Sequence, residues 1–126
     1  MHKLWLASAA CLLAACTSSA PTQMDAGAAD VQTCPSDWPA TCPDPNLHWT
    51  GQIDAIVLAK CAPCHNAQGP NPDLQFSADA YDLVKSIAKS VGGQVYSCRM
   101  PAAGGVPLTA SERAALLGWI ACGAPK

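Results

Sequence analysis

Eight cysteines in a chain of 126 residues constrain its fold more than any other feature, because their positions ask for different chemistries. Cys11 lies in an apolar leader and Cys16 ends it, Cys61 and Cys64 stand in the run "CAPCH", and Cys34, Cys42, Cys98 and Cys122 remain. That even remainder is what an oxidising compartment predicts. Four cysteines allow three pairings. The favoured one joins Cys34 to Cys42, closing a proline-rich segment, and Cys98 to Cys122, tying the last helix to the loop before it; connectivity stays open at the level of sequence.

The leader begins with the short basic start Met1-His2-Lys3 and continues through Leu4–Leu13, "LWLASAACLL", too short an apolar run to span a bilayer as a mature helix. Residues 1–15 therefore read as an export signal. Its end, "LAAC" at Leu13 to Cys16, is similar to the lipobox of bacterial lipoproteins, in which the cysteine sulfur receives the lipid. The expected location is outside the cytoplasm, lipid-anchored through Cys16 to a bacterial membrane and facing the periplasm or cell surface. Residues 16–33 are small and polar without apolar periodicity, and read as a disordered, flexible tether. Nine acidic residues against seven basic ones leave no electrostatic footprint for nucleic acid.

Residues 34–51 open with "CPSDWPATCPDPNLHW", where Pro35, Pro39, Pro43 and Pro45 exclude a regular helix or a central strand. An irregular strap is expected, with Trp38 and Trp49 as its apolar anchors. From there three short helical patterns follow, and the fold class is all-α. The first runs from about Gln52 to Cys61, with Ile53, Ile56 and Val57 at helical spacing, Asp54 in the first turn and Lys60 in the last. A second spans about Ala78 to Val91, with Ser77 as N-cap and Gly92 and Gly93 as the stop. The third starts at "LTASER", where Thr109 and Glu112 have capping-box spacing, and reaches Cys122. Aromatic residues make up 6% of the chain, and three short helices separated by long loops bury too little apolar surface to be comfortable at this size without disulfides, metals or a cofactor.

"CAPCH" offers such help. A zinc site would need two further ligands at close spacing, which the sequence lacks. A thioredoxin-like dithiol belongs at a strand–helix junction, and no strands are expected. A haem anchor fits: two cysteines three apart at the end of a helix can bond the two vinyl groups of one porphyrin edge, and His65 is then placed to bind the iron.

With these residues in view, the chain from 52 to 126 resembles a small class I c-type cytochrome. The likeness rests on the helix leading into Cys61–His65, on Gly69-Pro70-Asn71 ahead of Leu74, on Met100-Pro101 in a loop, and on a final helix carrying Trp119. It implies three short helices around one covalently bound haem c, the carbonyl of Pro70 (or of Pro72) accepting from His65 Nδ1, and Met100 as the sixth ligand. Pro72 and Asp73 intervene where the family pattern runs directly to leucine. His48, in the strap, is the histidine rival to Met100.

His/Met ligation would leave the iron no open position, and a thioether favours the ferrous state. One-electron transfer between redox protein partners at a membrane surface is the expected function, with no small-molecule substrate and no catalytic residues. A five-coordinate haem that senses a gas or acts as a peroxidase is the alternative, and a haem-free, disulfide-stapled lipoprotein a third. Arg99 is a candidate for a haem propionate, and Lys85 with Lys89 for docking an acidic partner.

Overall fold

The structure, a computed structural model, describes residues 34–126; the proposed signal, the tether and Cys16 lie outside the described residues. Among the described residues there are four helices and no strand, so the all-α expectation holds. None of these helices is long and apolar enough to cross a membrane.

A wide turn over Trp49–Ile53, with Gly51 in the left-handed region at φ +78°, leads into helix α1, Asp54–Lys60. Its axis begins two residues later than the periodicity suggests, because Thr50 and Gly51 are not helical. The second pattern is broken in two. Helix α2 spans Tyr81–Ser86, Ile87 leaves helical geometry at φ −110° and ψ 15°, and helix α3 covers Ala88–Tyr96. Ser77 does not cap with its side chain; its carbonyl accepts from Ala80 N in a turn ahead of α2.

Nor do Gly92 and Gly93 end this helix. Gly92 is a notch: a Cβ there would come within 2.6 Å of the Trp38 ring. Gly118, in helix α4 (Ala110–Ala121), plays the same part, since a Cβ would lie 2.9 Å from Pro43 and 3.0 Å from Leu47. The proline-rich strap thus lies on α3 and α4 at positions where only glycine leaves room. Trp38 keeps 39% of its surface exposed, with its ring edge-on to Tyr96 at 5.9 Å.

Helix α4 follows its sequence closely. Thr109 Oγ1 accepts from Glu112 N and the Glu112 carboxylate accepts from Thr109 N, the reciprocal capping box. At the other end Gly123, at φ +85°, donates to Ile120 O while Ala124 N donates to Trp119 O, a Schellman termination. Leu116, Leu117, Trp119 and Ile120 are buried together with Trp49, Ile53, Val57 and Val84. Trp49 packs on both Trp119 (5.6 Å) and Tyr81 (5.8 Å), while Trp119 Nε1 donates to Pro125 O and Tyr81 Oη to Ala124 O. Trp49 is the strap's fully buried anchor.

The disulfides correct the favoured pairing: Cys34 bonds Cys98 and Cys42 bonds Cys122. The strap lies across α3 and α4 instead of closing on itself, so each of its cysteines meets a helix end. Bridges with sequence separations of 64 and 80 each stabilise by about 4 kcal/mol in the chain-entropy account, against about 2.5 for the short loop a Cys34–Cys42 bridge would close.

Arg113 was not foreseen as structural. It is 8% exposed, and its Nε and Nη2 hold both oxygens of Asp37 at 2.7 and 2.8 Å. Nη1 donates to Val95 O, and Nη2 to Tyr96 O at 3.0 Å and Pro35 O at 3.3 Å. One guanidinium thereby joins the strap, α4 and the last carbonyls of α3, where a cation also complements the helix dipole.

Candidate functional site

"CAPCH" continues α1 as a series of tight turns. Cys61 N and Ala62 N both donate to Val57 O, and Cys64 N and His65 N both donate to Cys61 O. The carbonyls this leaves over are taken by a residue the sequence reading passed by. Asn66 Nδ2 donates to Ala62 O at 2.6 Å and to Pro63 O at 3.0 Å, so the turn is closed from below. Phe76 N donates to His65 O at 2.9 Å, and the Phe76 ring lies 5.2 Å from the imidazole. Gly69 approaches Cys64 so closely that a Cβ would fall 2.3 Å from the Cys64 carbonyl oxygen.

A cavity of about 640 Å³ opens beside these turns. Cys61, Cys64, His65, Pro70 and Met100, five positions scattered from 61 to 100, all line it. Its walls are largely apolar, with Leu74, Phe76, Ile87 and Val91 on one side and the small residues Pro101–Gly105 on another. Lys60 is its one formally charged lining residue, and that ammonium is engaged by Glu112 Oε2 at 3.2 Å and Pro107 O at 3.0 Å. The volume lies within the range of about 300–1,000 Å³ usual for enclosed small-molecule and cofactor sites.

Cys61 and Cys64 are unpaired thiols. Burial, then the neighbouring Cys64, pushes the Cys61 thiol up to about 11. That is the opposite of the depressed thiol of a redox dithiol, which works as a thiolate at neutral pH. Among the described residues no group of three or more His, Cys, Asp and Glu side chains is placed to hold a metal ion. The donors that do converge are two thiols, one imidazole and one thioether.

Two expectations are corrected. His65 Nδ1 is buried without a hydrogen-bond partner, so Pro70, though it lines the cavity, does not accept from it. The Pro72 carbonyl instead accepts from Gln75 Nε2 at 3.0 Å. The segment after the histidine closes on itself, with Asn71 N donating to Cys64 O and Leu74 N to Asn71 O. A buried unpaired ring nitrogen costs about 1–3 kcal/mol, so the imidazole is held here against a penalty.

Met100 is held at its backbone, where its N–H and that of Arg99 both donate to Gln94 O, at 3.2 and 2.9 Å. The residue is 37% exposed and lines the cavity. His48 does not line the cavity; its Nδ1 lies 3.2 Å from Lys126 O. Lys85 is exposed and donates to Tyr81 Oη at 3.0 Å. Arg99 is exposed and outside the cavity lining.

Comparisons with family models, with curated proteins and with solved structures each find no match for this chain.

Proposed function

We propose that the protein is a one-electron carrier with a single haem c, attached through Cys61 and Cys64 and ligated by His65 and Met100. The observation that carries the reading is the convergence of these four side chains on one apolar cavity. Two of them are unpaired thiols in a chain whose other described cysteines are all bridged. Thiols, imidazole and thioether are the donors that a covalently bound, low-spin haem takes, so the residues fit the group.

When bound, the haem supplies reversible exchange of one electron, and a thioether ligand favours its reduced state. The chain's own residues do the remainder. Cys61 and Cys64 fix the group to the end of α1. Asn66 braces the turn that carries His65 through the Ala62 and Pro63 carbonyls, and Phe76 packs on the imidazole and donates to the His65 carbonyl. Leu74, Ile87 and Val91 line the cavity with apolar surface that would exclude water, and Met100 would hold the sixth position, which would favour a carrier over an enzyme. Redox protein partners would meet it at a membrane surface, where a lipid on Cys16 and the 16–33 tether hold it after export.

The exposure of Met100 favours a second reading, in which the thioether gives way and the haem binds a gas or reacts with peroxide. Visible spectra of protein exported from cells with haem-attachment machinery, taken oxidised and reduced and beside Met100→Ala, separate the two. Sharp low-spin bands that turn high-spin in the variant are expected. A high-spin wild type would transfer the reading to gas binding or peroxidase chemistry, and a colourless protein from those cells would remove haem from it.

A further inference from the structure

Two ion-paired clamps hold the ends of the segment that carries Met100, and both arise from adjacent residues of one helical turn. At the near end, Cys98 is bonded to Cys34 in the strap, and Arg113 donates to the carbonyls of Val95 and Tyr96 just before it while gripping Asp37. At the far end, Lys60 donates to Pro107 O at 3.0 Å and pairs with Glu112 Oε2 at 3.2 Å. Glu112 Oε2 also accepts from Thr109 N at 2.7 Å. Lys60 precedes Cys61 directly, so the far clamp ties the loop to the same helix end that bears the attachment cysteines.

Between the clamps, residues 101–106 are "PAAGGV", with no charge and no large side chain to hold them by packing; Val106 is 44% exposed. Apart from the backbone bonds of Arg99 and Met100 to Gln94 O and one turn from Gly105 N to Ala102 O, the segment has few internal ties. A loop so poor in apolar contacts opens locally unless its ends are fixed.

We propose that Glu112 and Arg113 are positioning residues for Met100, holding the two ends of segment 98–108 so that the thioether stays at the cavity. This rests on the His65/Met100 reading, but the clamps themselves can be tested without it. Neither residue lines the cavity itself.

The experiment uses the full chain with Arg113→Lys, which keeps the charge and loses the two-pronged grip, and Glu112→Gln, which can keep the capping box while losing the ion pair. Ile53→Val, fully buried and part of neither clamp, is the control for general loss of stability. The first readout is the rate of tryptic cleavage after the exposed Arg99, followed by fragment mass. The second is the rate at which imidazole displaces the sixth ligand of the ferric protein. Expected are accelerations on the order of tenfold for Arg113→Lys and threefold for Glu112→Gln in both rates, the scale of one weakened charge-assisted hydrogen bond. Accelerations no greater than those of Ile53→Val would overturn the proposal. Faster cleavage with unchanged imidazole binding would overturn it as a statement about the ligand. A wild type without haem would defeat the functional reading, while cleavage rates would still decide whether the clamps hold the loop.

Discussion

The face of the molecule under the strap and the face around the cavity are built on opposite plans. Under the strap, α3 and α4 are crossed by two disulfides, a two-pronged Arg113–Asp37 pair and glycine notches filled by Trp38, Pro43 and Leu47. Around the cavity there are two unpaired thiols, an unpartnered imidazole nitrogen and a partly exposed methionine, carried on loops. The difference teaches that this chain places its cross-links where they resist unfolding and leaves the cavity dependent on what occupies it.

Removing parts of each face breaks or sharpens that contrast. The largest effect is expected for Cys42→Ser/Cys122→Ser, which should cost about 4 kcal/mol in urea denaturation of the chain without haem. Cys61→Ser/Cys64→Ser should shift the same curve by less, about 1 kcal/mol, and on the haem reading should give a colourless protein. Equal losses from the two double variants would erase the proposed division.

Next in size, Arg113→Met should destabilise by about 2 kcal/mol, because it leaves the Asp37 carboxylate and the Tyr96 carbonyl without the guanidinium. Gly92→Ala should then lose about 1 kcal/mol, overpacking against Trp38 outweighing the gain in helix propensity. Its neighbour Gly93 faces open space, and Gly93→Ala should gain about 0.5–1 kcal/mol. Thermal melts of the two variants side by side should move in opposite directions.

The smallest effects lie in pH. Arg113, chiefly by its hydrogen bonds, holds the Asp37 carboxyl below the usual carboxylate range, so its contribution is present above the unfolded value and is lost as pH falls through the folded one. Cys61 runs the other way. Its thiol is raised to about 11 from 9.0, so without haem the folded state keeps a proton that the unfolded chain gives up, and stability falls as pH rises from about 9 to 11. Asp37→Asn should flatten the acid limb of a pH–stability profile and Cys61→Ser the alkaline limb. A single variant that flattened both would join the two faces again.

What could be read in advance follows the range of the forces involved. Helix α4 was legible because Thr109, Glu112 and Gly123 act within a turn of themselves, and the apolar stripe through Trp119 is local. The candidate site was legible as "CAPCH" plus a methionine before a proline, and the fold brings those residues to one cavity. Long-range partners were not legible. Nothing near Arg113 in sequence announces Asp37, Val95 or Pro35, and nothing near Cys34 distinguishes Cys42 from Cys98. Gly92 misled because a glycine that makes room for a distant indole looks, in one dimension, like a glycine that ends a helix. Ile87 breaks its helix with no local residue to mark the place.

The bridges carry a consequence in time. A chain delivered from its N-terminus presents Cys34, Cys42, Cys61 and Cys64 before either correct partner, Cys98 or Cys122, has emerged. Two early thiols, Cys34 and Cys42, wait for two late ones, and the pairings nearest to hand, with each other or with Cys61 and Cys64, are the wrong ones. Occupying Cys61 and Cys64 first would take two of those competitors out of circulation, so the order of filling the cavity and closing the strap would matter. The final helix, last to arrive, brings Cys122 and completes the second staple.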